Sequence, residues 1–129
     1  MPKILLCEDN PDIREMVEFI LEGAGYDIVS IDKGHEVRSF VLREGPDLLL
    51  LDLRIPDLDG YGVLSELSRL PREAVPPVVI LSAKTSDLDR EQALAMGARE
   101  FLEKPFTMDG LLMAVQRNVT AKDTSDSGS

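Results

Sequence analysis

The chain has 129 residues, enough for one domain with a single apolar core and too few for two domains of ordinary size. Its 24 acidic residues outnumber 14 basic ones, and the net charge of -10 repels nucleic acid phosphates and anionic membranes, so direct binding to either is not expected. The single cysteine, Cys7, excludes an internal disulfide; with no long apolar span, and with Met1-Pro2-Lys3 leading into a strand rather than a signal peptide, the cytosol is the expected compartment.

In chain order, Lys3-Ile4-Leu5-Leu6-Cys7 predicts a short strand that ends on Glu8-Asp9, with Cys7 a small buried residue. Asn10 caps a helix and Pro11 opens it; Ile13, Met16, Val17, Ile20, Leu21 and Ala24 recur at helical spacing until Gly23 and Gly25 stop it. Tyr26 to Ile31 predicts a second strand, and Gly34 to Glu44 a second helix carrying Val37, Phe40 and Val41. His35, early in that helix, reads as an exposed residue remote from the other candidate groups.

Leu48-Leu49-Leu50-Leu51 is an apolar run without alternation, the mark of a strand covered on both faces, as in a parallel sheet flanked by helices. It stops at Asp52. Taken alone, Asp52 reads most simply as an acid that ends the strand, and Asp57 and Asp59 as loop acids with no assigned role. Val63, Leu64, Leu67 and Leu70 then mark a third helix that Pro71 ends, and Val78 to Ser82 a fourth strand. A weaker helix over 86–96, a short strand over 99–103 and a last helix capped by Thr107, with Met108, Leu111, Leu112 and Val115 on one face, complete the pattern. Gly110 stands where a capping-box acid would help, so that helix is expected to start less firmly. Residues 1–119 are expected to form the domain, and 120–129, which have no apolar content to bury, a disordered tail or linker stump.

Five strands alternating with five helices predict a doubly wound α/β fold: a parallel sheet with helices on both faces. In such a sheet the carboxyl ends of strands one, three, four and five share one edge, which gathers Glu8, Asp9, Asp52, Ser82 and Lys104. Ligands bind at that edge in open α/β sheets. Singly, Asp9 could cap a helix, Ser82 a turn, and Lys104 could be a solvated charge; their convergence is what favours a site. Carboxylates packed together repel one another unless a cation neutralises them, and an all-oxygen set without His or Cys suits Mg²⁺.

The ordered set Cys-Glu-Asp-Asn (7–10), Leu-Leu-Leu-Leu-Asp-Leu-Arg-Ile-Pro-Asp-Leu-Asp-Gly (48–60), Leu-Ser-Ala (81–83) and Glu-Lys-Pro-Phe (103–106) resembles the receiver domains of two-component response regulators, over roughly residues 3 to 118. The resemblance implies a flavodoxin-like (βα)5 fold with strand order 2-1-3-4-5. It implies a phosphoacceptor at Asp52 and a Mg²⁺ ion held by Asp9 and Asp52, by Glu8 largely through water, and by the backbone carbonyl of Arg54. Ser82 corresponds to the hydroxyl that contacts the phosphoryl group, Lys104 to the lysine that pairs with it, Phe101 to the aromatic that changes rotamer, and Pro105 to a proline after a cis peptide bond. The implied donor is a histidine kinase or histidine phosphotransfer protein. Helix four, strand five and helix five would form the output face toward an unidentified partner or effector domain, and a surface for homodimerisation. Such a domain is not an enzyme beyond catalysing its own phosphorylation and dephosphorylation.

Two long cations stand beside the expected site, Arg54 two residues after Asp52 and Lys84 two after Ser82, where they could slow or guide water. Other functional classes are weaker. An aspartyl-nucleophile phosphatase typically places a second acid where Arg54 stands. A flavodoxin-like cofactor module would carry a Gly-rich phosphate loop after strand one, and none is present. A receiver-like interaction module that works without phosphorylation is the remaining alternative.

Overall fold

A computed structural model of the chain describes residues 2–55, 57–83 and 87–127, with side chains described as far as residue 119 of the last helix. Lys84, one of the two cations expected beside the site, lies outside the described residues. Five strands alternate with five helices: β1 Lys3–Cys7, α1 Pro11–Gly23, β2 Asp27–Ile31, α2 Val37–Glu44, β3 Leu48–Asp52, α3 Gly60–Leu67, β4 Val78–Ser82, α4 Asp87–Ala95, β5 Glu100–Glu103 and α5 Met108–Ser127. All neighbouring strands pair in parallel, in the order β2-β1-β3-β4-β5, so the doubly wound sheet and its strand order are those expected.

The sheet separates two apolar cores, and alternation within each strand decides which residue enters which. Leu5, Cys7, Leu49, Leu51 and Ile80 face α2, α3 and α4 through Val41, Val63, Leu67 and Ala93. Ile4, Leu6, Leu48, Leu50, Val79 and Leu81 face α1 and α5 through Val17, Leu21, Leu111 and Val115. That is why β3 needs four consecutive leucines: every position is buried, whichever way it points. Burying each one fully contributes about 1.5–3 kcal/mol relative to leaving it exposed.

Differences from the sequence reading have local causes. The second helix begins as a 3-10 turn, Gly34–Glu36, before α2 proper. Helix α3 ends at Leu67, so Leu70 packs from the following turn. Met16, expected on the buried face of α1, is exposed, because that face is centred on Val17 and Leu21. Met108 is likewise exposed at the start of α5. Thr107 does cap that helix, its Oγ1 accepting from the Gly110 N–H at 2.9 Å. The helix runs to Ser127, across the boundary at residue 120 suggested by composition.

Candidate functional site

Parallel pairing aligns the carboxyl ends of β1, β3 and β4, and the residues that terminate them fall side by side. Register places Cys7 opposite Leu51, and Asp52 opposite Leu81, so Glu8, Asp52 and Ser82 follow one another across the edge. β5 joins from the side: Ser82 is opposite Glu103, and the Lys104 N–H donates to the Ser82 carbonyl at 2.6 Å, which fixes where the Lys104 side chain starts. The Lys104–Pro105 peptide is cis.

The lysine Nζ lies 2.7 Å from Glu8 Oε1 and 3.0 Å from Asp52 Oδ2. Glu8 is completely buried and Asp52 nearly so, 0% and 5% exposed, which makes this a desolvated ion triad rather than a surface pair. The second Glu8 oxygen accepts from the Asn10 N–H at 3.2 Å, and Asp52 Oδ1 accepts from the Arg54 N–H at 2.9 Å. Burial pushes the Glu8 carboxyl up to about 7; Lys104 pulls it down and Asp52 adds to the rise. Burial also pulls Lys104 toward neutrality, but its hydrogen bonds to Glu8 and Asp52 more than compensate and leave its pKa raised. In Cys7, beneath the cluster, burial and nearby acids push the thiol up to about 12, so it is an inert core residue.

Asp9 completes the acidic group as its least buried member. Glu8, Asp9 and Asp52 each offer an oxygen, and these oxygens lie within 4.8 Å of one another. An all-oxygen donor set of this charge and spacing fits Mg²⁺, a hard cation. The Ser82 Oγ is buried without any hydrogen-bond partner among the described residues. An unpaired buried hydroxyl costs about 1–3 kcal/mol, and a phosphoryl oxygen or a water at this edge would satisfy it.

Phe101 is half-buried in β5 and packs against the α2–α3–α4 core; the Arg90 guanidinium of α4 stands 5.2 Å from its ring centroid. Arg90 also approaches Glu103 at 3.7 Å, and Tyr61 of α3 donates to Asp89 Oδ1 at 2.9 Å, so α4 is tied on both sides. Burial and the Asp89 carboxylate push the Tyr61 hydroxyl up to about 12.

The two loop acids left without a role have clear ones. Asp59 caps α3, accepting from the Gly62 N–H at 2.9 Å. Asp57 accepts from the N–H groups of Gly34 and His35, at 2.9 and 3.1 Å, fastening the loop after Asp52 to the turn after β2. Gly34 is required there, because any Cβ would strike the Leu58 carbonyl. His35 is exposed, as expected, but it is not remote: its Nε2 lies 3.7 Å from Asp57 at the same end of the sheet.

A parallel sheet of this order, with three carboxylates, a lysine and a hydroxyl gathered at its carboxyl edge, is that of a flavodoxin-like α/β signalling domain. The chain belongs to the response regulator receiver domain family, whose model matches residues 4–116. It is 37% identical over 116 residues to the DNA-binding dual master transcriptional regulator RpaA of Synechocystis, covering 90% of this chain and 48% of that protein. It is 34% identical over 113 residues to the transcriptional regulatory protein GltR of Pseudomonas aeruginosa, covering 88% and 47%. The chain thus spans about half the length of the curated relatives it matches. Among solved structures it is similar to the receiver domain of a sensor histidine kinase from Pseudomonas aeruginosa, which has a magnesium ion coordinated in its active-site cleft. The identity is 32%, the TM-score 0.84, and 92% of this chain and 98% of that one are covered.

Proposed function

We propose that this receiver domain accepts a phosphoryl group on Asp52 from the phosphohistidine of a histidine kinase or phosphotransfer protein, in a Mg²⁺-dependent reaction. The observation that carries the reading is the nearly buried Asp52 carboxylate, paired with Lys104 and flanked by two further carboxylates and an unpaired hydroxyl. Asp9, Asp52 and the Arg54 carbonyl would hold the ion directly, and Glu8 through water. The ion would supply positive charge against the phosphoryl oxygens.

The chain's own groups divide the remaining work. An Asp52 oxygen attacks phosphorus in line as the phosphorus–nitrogen bond breaks, and the departing imidazole takes up a proton. The Arg54 N–H fixes the orientation of the carboxylate, so little is lost in aligning it. Lys104 neutralises charge accumulating on the transferred group. Afterwards Ser82 turns its hydroxyl to a phosphoryl oxygen, Phe101 moves into the space released, and the α4–β5–α5 face changes its population of states. That face serves an output partner or effector domain and a homodimer. The domain works in the cytoplasm as a signalling element, not as an enzyme acting on other substrates, and makes no nucleic acid or membrane contact of its own. Among the described residues no helix is long and apolar enough to cross a membrane. Residues 1–119 form the signalling unit.

Incubation with acetyl phosphate, followed by intact mass, tests this. The expected result is a one-phosphoryl gain that needs Mg²⁺ and disappears in Asp52→Ala. No gain with any donor would leave a module that works without phosphorylation.

A further inference from the structure

At the opposite, amino-terminal end of the sheet, a groove of about 710 Å³ runs between the end of α3, the segment leading into β4, and the turn from α4 to β5. Its volume is in the range of about 300–1,000 Å³ common to ligand-binding clefts. The floor is apolar: Leu64, Leu67 and Val78 are buried, while Leu70, Val75 and Met96 are only partly covered. A concave, largely apolar floor with a few polar groups at its rim is the usual make-up of a binding cleft.

The rim has a definite sign. Arg72 and Arg99 both line the groove, both are exposed, and neither makes an ion pair among the described residues, whereas Glu73 is the one acid in the lining. On a chain of net charge -10, a lining with two arginines and one acid departs from the prevailing sign. The wall also limits how a partner can be held. Pro76 and Pro77 line it and offer no N–H, and the Pro77 carbonyl is already taken by the Leu49 N–H at 3.0 Å. An extended peptide cannot add here as a strand, so recognition falls to side chains. The same prolines stiffen the wall and lower the entropy lost on binding.

We propose that this groove docks an acidic amphipathic helix of a partner protein, with apolar side chains at helical spacing on the Leu70–Val75–Met96 floor and carboxylates against Arg72 and Arg99. The site is separate from the Asp52 edge and does not depend on phosphorylation.

The probe is a synthetic helical peptide of alternating leucine and glutamate turns, with a lysine version as control, titrated into the isotope-labelled full chain and followed by amide chemical shifts. The expected result is saturable change confined to residues 64–78 and 96–99 with the acidic peptide, weakened by salt, and little with the basic one. Arg72→Glu combined with Arg99→Glu should weaken the acidic peptide by at least about tenfold and admit the basic one. Both side chains are exposed and make no ion pair among the described residues, so the variant should keep native shifts elsewhere. Equal binding of the two peptides, binding unaffected by the double variant, or no change in the groove amides would overturn the proposal. Concentration-dependent shifts at the groove without peptide would also overturn it, in favour of a second copy of the chain.

Discussion

Replacing Lys104 with methionine keeps most of the side chain's length and removes the only cation ion-paired with the buried Glu8 and Asp52 carboxylates among the described residues. Breaking a buried ion pair from one side typically costs about 3–5 kcal/mol, because the charge left behind has lost its water as well as its partner. Here the loss depends on pH in a specific way. A carboxyl whose folded pKa lies above its unfolded value binds more protons folded than unfolded, so stability falls as pH rises between the two values. In the wild type Glu8 gives such a decline from 4.5 to about 7, above which its contribution is constant. Without Lys104, the interaction that pulls Glu8 down is gone, its folded pKa moves further up, and the decline continues past 7. The gap between the two proteins should therefore widen above pH 7, by at most about 1.4 kcal/mol per pH unit. Urea unfolding followed by far-ultraviolet circular dichroism is the assay, since the chain has no tryptophan. Millimolar Mg²⁺ should narrow the gap by supplying charge to the same oxygens. A loss that is the same at pH 6 and pH 8.5, or no loss at all, would show that Lys104 does not hold down the Glu8 carboxyl.

Other substitutions probe the parts that surround the site. Gly34→Ala places a Cβ against the Leu58 carbonyl and should destabilise the chain by about 1–3 kcal/mol, measured as a lower urea midpoint with an unchanged slope. Tyr61→Phe removes the tie to Asp89, costing about 1 kcal/mol, and hydrogen exchange should accelerate in α4 but not in α1; uniform protection would show that the tie does not hold α4. Asp57 is pushed up by burial, but the N–H groups of Gly34, His35 and Leu58 more than compensate and hold its carboxyl below the usual range. Its contribution to stability is present above the unfolded pKa and is lost as pH falls through the folded one. Asp57→Asn should accordingly lessen the acid-induced loss of stability.

The fold was legible because each strand states its own burial. Four leucines in a row require cover on two faces, and the Gly and Pro punctuation sets the helices between strands. The strand ends then placed Asp52, Ser82 and Lys104 at one edge, while the roles expected of them came from the resemblance to receiver domains. Asp59 could have been read in the same way, since an acid directly before a helix is a cap. Asp57 could not, because its partners lie more than twenty residues away and only folding brings them together. The burial of Glu8, and its direct contact with a lysine 96 residues later, is equally tertiary. Met16 misled because the helical period admits a stripe wider than the one the sheet covers.

Asp52 is the residue proposed to receive the phosphoryl group. Borohydride reduces an acyl phosphate, but not a free carboxylate or a phosphate ester, to an alcohol. After treatment with acetyl phosphate and Mg²⁺ followed by borohydride, peptide mass spectrometry should find the conversion at position 52 and at no other acid. Conversion at Asp9, Asp57 or Asp59, or phosphate retained on a hydroxyl side chain with Asp52 unmodified, would contradict the account.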